Sequence, residues 1–580
     1  MKTDRINDRT QYLVLGVYVL GVIVFHGFYI SRLTGPFVYA DEIGYWSHAA
    51  HMTGNTWAGV MDGVSWYSFG YSFLLALTFL FSSHMLIMYR AAIVFNMIMS
   101  VGIFLLAHCI IRRFVPEQKT VVTGLFAFML TTYPTYIFYS HTTLCETMFT
   151  LIVWLLFYEV VLLEEKPTLW RAVALGCTAV YGFAVHNRML AVLGAAAVCL
   201  LLLWGTHRMN WKHILAAAVS AGIFFAGYLL MKEYLSLAIV QNQVVESAGG
   251  AVAQGSYNTF GFVFQKFLRM FRWKNIKNVF LNVVGQIWEC LSSSYLLAGI
   301  GVVYGVKKLI DGRDSVKGKC LYLFPLVSML FSIGMTGIVA YGGLTHVGDQ
   351  VRLDNAFIGR YSAPLIPMLV MLACVMLLEE ETASAWKYFA GVLAVYLAAA
   401  AGVYFRLYGI ENGYLNIVSS VAIHIFHWLG GFSVVKCVAV ALAVSVVFLG
   451  MCRFTRKHPW NYCLAFLMLA FLFSMTAFYC MRTSIRGEND NTARYTPMFA
   501  YLEENTEKRE VVYICQDGKM SYDLQTRLPD RAVVCTLPEQ LEGVPADTYV
   551  VICQEQLASL EAAVYEACLE NEEYVVIKVR

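Results

Sequence analysis

Long apolar runs recur from one end of the chain to residue 481, each closed by a short polar turn. About 20 consecutive apolar residues cross the hydrocarbon core of a bilayer as a helix. By that length the pattern predicts about thirteen transmembrane helices. They are Tyr12–Ile30, Leu86–Ile111, Val121–Ser140, Thr147–Leu163, Leu169–Val185, Leu190–Gly205, Ile214–Met231, Val284–Val306, Leu321–Tyr341, Tyr361–Leu378, Tyr388–Tyr408, Val434–Met451 and Tyr462–Met481. Three connections are too long to be turns: residues 31–84, residues 232–282 and the tail 482–580. Connections of that length tend to carry function.

The tail departs from the apolar pattern. Val511–Cys515, Ala532–Leu537, Thr548–Cys553 and Tyr574–Val579 read as strands rich in Val and Ile, and Glu555–Asn571 reads as a helix. The division is therefore a membrane module over 1–481 and a small α/β domain over 482–580 with a mostly parallel sheet. The tail has no Gly-rich phosphate loop, so no nucleotide is assigned to it. Cys515, Cys535, Cys553 and Cys568 either pair or stay as buried thiols in strands.

Composition agrees with the pattern. Of 580 residues 59% are hydrophobic and 14% charged, against about 25% charged in soluble domains; the mean hydropathy is +0.60. A multidomain soluble protein, a disordered chain and a disulfide-stapled fragment are excluded. The net charge of +3 offers no basic stripe for nucleic acid. The distribution of charge sets orientation. Arg112, Arg113 and Lys119 fall in one turn, Arg208 and Lys212 in another. Lys307, Lys308, Arg313, Lys317 and Lys319 fill a third, and Arg453, Arg456 and Lys457 a fourth. Lys2, Arg5 and Arg9 precede the first span, and the positive-inside rule puts all five groups in the cytoplasm. Glu379–Glu381 is an acidic turn on that side, and acids weigh little in the rule. Val38-Tyr39-Ala40 could pass for a signal-peptidase site, but it lies too far beyond the first run, which reads as a retained anchor. An odd number of spans then puts the C-terminus outside, and the location is a plasma membrane crossed many times.

Candidate chemistry gathers at the outer ends of spans. Asp41 and Glu42 follow the first span and open a stretch, Ile43 to Ala50, that reads as an amphipathic helix at the interface. A carboxylate there suits either a general base or a helix-capping acid. Glu146 opens the fourth span; a contact at the site and a helix-start acid are equal readings. Arg188 and Arg360 stand at outer span ends, where phosphate binding competes with snorkelling to headgroups. Lys266, Arg269, Arg272, Lys274 and Lys277 interleave with Phe267, Phe271 and Trp273, as an interfacial helix does. Trp57, Trp66, Tyr67 and Tyr71 could stack on sugar rings or anchor helices. His48 and His51 lie near the acids, without enough further ligands for zinc.

The stretches YADEIGYWSHA, YSFGYSFLLALTFLF, TTLCETMFTLIVWLL, GFAVHNRMLAVLGAAAV, GQIWECLSSSYLLAGIGVVYGV and GRYSAPLIPMLVML occur in this order. With the layout of spans they resemble the GT-C superfamily of membrane glycosyltransferases. The similarity is to its protein O-mannosyltransferase and aminoarabinose-transferase branch, also called the dolichyl-phosphate-mannose mannosyltransferase family. It covers most of Tyr12 to Leu378; an outside C-terminal domain is common in that family. The chain lacks the proline that relatives often carry just before the GYxxLLA-like stretch.

The resemblance implies an inverting hexosyl- or pentosyltransferase. Its donor is a polyprenyl-phosphate-linked sugar, and its acceptor, outside the plasma membrane, is a glycan, lipid or protein. Membrane lipids are the other partners. Asp41 matches the catalytic acid and Glu42 its neighbour. Glu146, Tyr45, Trp66 and Tyr71 are candidate contacts to the acceptor or supports of the acid, and Arg188, Arg360, Arg269 and Arg272 are candidate ligands of the donor phosphate. No cofactor is required and no metal is assigned. A transporter or flippase of lipid-linked sugars, or a polysaccharide polymerase or ligase, are the alternatives; a transporter predicts inverted repeats, broken helices and ionisable groups at the bilayer midplane.

Overall fold

The computed structural model describes residues 2–580 except 38, 62–67, 240–259, 312–317, 340–342, 380–381, 425, 427–429, 455–459, 507–509, 515–517 and 558–564. Its helices are α1 (Lys2–Gly27), α2 (Ala40–Met52), α3 (Ser72–Phe79), α4 (Met85–Phe114), α5 (Thr120–Thr131), α6 (Pro134–Ser140), α7 (Glu146–Glu165), α8 (Leu169–Val185), α9 (Met189–Gly205) and α10 (Trp211–Ile239). Then follow α11 (Phe260–Met270), α12 (Trp273–Ser293), α13 (Leu297–Asp311), α14 (Lys319–Val339), α15 (Ile366–Glu379), α16 (Thr382–Leu407), α17 (Val434–Phe454), α18 (Trp460–Asn505) and α19 (Gly518–Arg527). Among the described residues eight helices are long and apolar enough to cross a membrane, or up to ten if each of two bent pairs is one span. The remaining three of the thirteen expected spans fall on shorter apolar helices, α8, α9 and α15.

The bent pairs depart from the sequence pattern, which reads each as one continuous span. α5 and α6 meet at 65°, and α12 and α13 at 104°. Pro134 occupies the first turn of α6, where its missing N–H costs nothing. Between α12 and α13 the backbone of Tyr295 and Leu296 turns left-handed, with φ of 50° and 63°. Non-glycine residues adopt that conformation only where the surroundings hold them. Ser294 Oγ donates to Cys290 O at 2.6 Å and accepts from Ala298 N at 3.2 Å, so a serine takes up backbone groups freed by the break. The two breaks touch: Tyr133 donates its hydroxyl to Ser293 Oγ at 3.0 Å.

One end of the bundle is tied by Arg113–Glu165 at 2.6 Å and Lys308–Glu379 at 3.1 Å. These are groups of the basic turns. α7 runs from Glu146 to Glu165, and a helix of that length spans roughly 30 Å. Glu146 therefore stands at the opposite end of the bundle from the basic turns.

α18 continues through residue 482 to Asn505 as one 46-residue helix, so the expected boundary between membrane module and tail falls inside it. A small sheet, β1 (His346–Val347), β2 (Gln350–Arg352) and β3 (Gly413–Tyr414), precedes it, and beyond it lie β4 (Val511–Ile514), β5 (Val533–Cys535), β6 (Tyr549–Cys553), β7 (Tyr565–Glu570) and β8 (Tyr574–Val579) in the order β5-β4-β6-β8-β7. β4 is parallel to β5 and β6, while β8 is antiparallel to both its neighbours. The sheet is thus half parallel, not mostly parallel. The expected helix over Glu555–Asn571 is replaced at 565–570 by β7. The Asn571 N–H donates to Tyr574 O at 2.8 Å, closing a hairpin that gives this segment a ladder partner. Cys553 is disulfide-bonded, Cys535 and Cys568 are free thiols, and Cys515 lies outside the described residues.

α2 is not a helix lying on the membrane surface. Residues 42–50 are all buried, because α3, α10 and α19 pack around it. Val511, Leu528 and Val533 of the tail join the same apolar core as Trp46 and Trp57.

Candidate active site

Two adjacent acids at the start of α2 meet opposite environments, since successive side chains diverge by about 100° around a helix. Glu42 points inward and is 1% exposed. Its Oε2 accepts the Tyr39 N–H at 3.2 Å, closing a capping box on its own helix. Its Oε1 accepts from Tyr89 OH at 3.1 Å, Thr143 N at 2.6 Å and Thr143 Oγ1 at 2.9 Å. Burial pushes the Glu42 carboxyl above its ordinary range, and these donors oppose the shift. Glu42 ties α2 to the α6–α7 connection.

Asp41 points the other way and keeps 31% of its side chain exposed. Its Oδ2 lies 2.6 Å from Arg360 Nη1. Arg360 Nε reaches Glu146 Oε1, and the same oxygen accepts from Arg188 Nη2 at 2.8 Å. Arg188 Nη1 donates to the Arg360 carbonyl at 3.2 Å. Its guanidinium lies between the rings of Phe149 and Tyr361, 5.2 and 5.0 Å from their centroids. Four residues expected separately from the sequence thus form one chain, Asp41–Arg360–Glu146–Arg188, with two charges of each sign. Burial alone would lower the Arg360 guanidinium; Glu146 and Asp41 more than reverse that and hold it well above its ordinary value. His186 accepts the Arg188 N–H on Nδ1 at 3.1 Å. Burial, then Arg188 and Arg360, hold its pKa well below the ordinary value, so the ring serves as a neutral acceptor.

The segment carrying Arg360 is held from behind by α12. Gln286 Nε2 donates to the Phe357 carbonyl and to Ile358 O at 2.9 Å. Ser362 Oγ donates to Glu289 Oε2 at 3.4 Å, and Tyr136 OH to Pro364 O at 2.7 Å. A Cβ on Gly359 would stand 2.5 Å from Glu289 Oε1, so glycine lets this loop sit against the carboxylate. Gln286 and Glu289 were not singled out in the sequence. Two buried polar residues three apart in an apolar run were the available signal.

The other expected residues lie elsewhere. Tyr45 is buried and donates to Cys145 Sγ at 3.0 Å; Tyr71 is buried and donates to Asn96 Oδ1 at 3.0 Å. They meet edge to face inside the fold and offer no ring to solvent. Trp57 is buried too, and Trp66 and Tyr67 lie outside the described residues. Arg269 and Arg272 are exposed at the junction of α11 and α12, beside exposed Phe264, Leu268, Phe271 and Trp273. Among the described residues no hydrogen bond or ion pair joins them to the Asp41 chain. His48 is buried and His51 faces Tyr234. Among the described residues no three His, Cys, Asp or Glu side chains group as a metal site.

A groove of about 400 Å³ lies between α8, α10 and the start of α3, lined by Phe69, Phe73, Tyr181 and Tyr228. Its wall at Ala184 is two residues from His186. The ensemble places a reachable carboxylate beside one buried and one part-buried guanidinium, and an apolar groove begins two residues along the chain from His186. A carboxylate so placed can accept a proton, and the guanidiniums can meet an anion.

No protein-family profile matches the chain, and no curated protein matches it by sequence. Solved structures do match in shape. The chain is similar to ArnT from Cupriavidus metallidurans bound to undecaprenyl phosphate, with TM-score 0.54 and 12% identity over 97% of each chain. It is similar to the same protein in the apo state, with TM-score 0.51 and 14% identity over 98% of each. The likeness is one of fold.

Proposed function

We propose that this chain moves a sugar from a polyprenyl-phosphate-linked donor to an acceptor hydroxyl, with inversion, at the membrane face away from the basic turns. The observation that carries the reading is the Asp41–Arg360–Glu146–Arg188 chain, with its partly exposed carboxylate bonded to the part-buried Arg360 and the buried Arg188 beyond. The acceptor oxygen attacks the anomeric carbon and loses its proton to the Asp41 carboxylate. The bond from that carbon to the donor phosphate breaks, and its electron pair leaves with the lipid phosphate. Arg360 and Arg188 offset the charge that develops there. Glu42 positions α2, and Glu146 orients both arginines. The apolar groove suits the isoprenoid tail of such a donor, and the undecaprenyl phosphate held by the ArnT structure supports a carrier of that class. The disulfide at Cys553 supports an oxidising, extracytoplasmic tail.

The two broken helices are the observation that favours a transporter. Against it, the ionisable chain sits at helix ends, at Ala40–Met52, Glu146 and the segments 186–188 and 359–361. The test is to extract the protein with its lipid, identify that lipid by mass spectrometry, and assay the matching lipid-phosphate sugar. Asp41→Asn should keep the fold and abolish transfer, because an amide cannot take the proton. Near-normal turnover by this variant removes the general-base role, and lipid flux without transfer in proteoliposomes establishes the transporter.

A further inference from the structure

The first outer loop, which carries Asp41, is gripped by the tail on both sides of α2. Before α2, Thr34 Oγ1 bonds Asn489 Oδ1 of α18, and Arg527 of α19 donates to Thr34 O at 3.3 Å and to Thr492 Oγ1 at 2.8 Å. A Cβ on Gly35 would stand 2.3 Å from Arg527 Nη2, so the chain passes directly under that guanidinium. The Tyr39 side chain, at the cap of α2, lies near Ser484 of α18. After α2, the buried Trp57 donates to Pro529 O at 3.0 Å. A Cβ on Gly59 would stand 2.3 Å from Val533 O and 3.1 Å from Val534 Cα, both main-chain atoms of the tail at β5. Backbone cannot rotate aside as a side chain can, so this contact excludes every residue but glycine.

The grip connects to the acids. Trp57 stacks on Trp46 of α2, with ring centroids 6.4 Å apart. Trp46 Nε1 donates to Thr143 Oγ1 at 2.9 Å, and that hydroxyl donates to Glu42 Oε1 at 2.9 Å. A continuous line of contacts thus runs from Pro529 to the residue next to Asp41. We infer that the tail is a positioning clamp for the Asp41 loop, acting through Trp57 and Gly59 and not as an independent appended domain. The inference rests on the transferase reading for its kinetic consequence alone.

The test uses the full chain in nanodiscs, comparing the parent with Gly59→Val and Trp57→Phe. Without any substrate, amide exchange over residues 40–52 should rise at least about tenfold in Gly59→Val, while residues 146–165 stay as they are. Trp57→Phe keeps a smaller aromatic ring and loses the hydrogen bond to Pro529; its rise should be at least about twofold, and it decides the matter if Gly59→Val does not fold. Unchanged exchange over 40–52 overturns the clamp, and an equal rise over 146–165 reduces it to general stability. Undecaprenyl phosphate should bind the variants as it binds the parent, whereas kcat falls about ten- to a hundredfold, as a misplacement near 1 Å does. Faster exchange with unchanged kcat overturns the positioning role. A parent protein without transferase activity refutes the proposed function instead, and the exchange result still decides the clamp.

Discussion

Removing the charge of Glu146 should be the most damaging conservative change in the site. Its side chain is fully buried, Arg188 is 7% exposed, and both Arg188 and Arg360 bond its Oε1. Glu146→Gln leaves the four-charge chain with one uncompensated positive charge among apolar walls. Breaking a buried pair from one side costs about 3–5 kcal/mol. Arg188→Met removes the other partner but leaves Glu146 paired with Arg360, so about 1–3 kcal/mol is expected. The double variant restores neutrality, with Asp41 still on Arg360, and should fall within about 2 kcal/mol of the parent. Central values for the single changes and about 2 kcal/mol for the double variant give a coupling energy of about 4 kcal/mol, just above the range usual for residues in contact. Reversible urea unfolding in detergent, followed by tryptophan fluorescence for all four proteins, measures it. A Glu146→Gln protein within about 0.5 kcal/mol of the parent, or additive single effects, refutes the electrostatic account of this site.

Glu42→Gln places an amide NH₂ against donors on at least one side of the carboxyl and should destabilise by about 1–3 kcal/mol, while retaining more transfer than Asp41→Asn; melting and turnover together check it. Replacing Arg269 and Arg272 with Gln should raise the donor KM roughly ten- to thirtyfold if their exposed helix gathers anionic donor; an unchanged KM with lower protein yield makes it a membrane anchor. A reporter fused after Arg580 should be active on the extracytoplasmic side only, and cytoplasmic activity reverses the orientation of the site.

Much of the outline was legible in one dimension because a bilayer imposes a length on apolar runs and a sign on the turns between them. Among the described residues eight helices are long and apolar enough to span, or up to ten with the two bent pairs, fewer than the thirteen spans expected; three expected runs fall on shorter apolar helices. Asp41, Glu146, Arg188 and Arg360 each stood out as a charge at the edge of an apolar run, where a charge has to be explained. What no run of residues carries is which of these charges meet. Asp41 and Arg360 are 319 positions apart, and only the tertiary fold, which brings the start of α2 to the segment before α15, makes them a pair. The split between Asp41 and Glu42 was equally hidden, since it depends on Tyr89 and Thr143 arriving from other elements to enclose one acid and not the other. Gln286, Glu289, Tyr295 and Leu296 all lie inside one expected span; the first two take their meaning from the Arg360 segment they hold, the last two from the break they form. The tail read as a separate domain because its composition differs. In three dimensions it shares α18 with the membrane module and a core with the loop that holds Asp41, because buried tryptophans and a glycine backbone contact at Val533 find their partners there. Local pattern sets which segments cross the membrane and which carry charge; the long-range contacts decide which charges form a site.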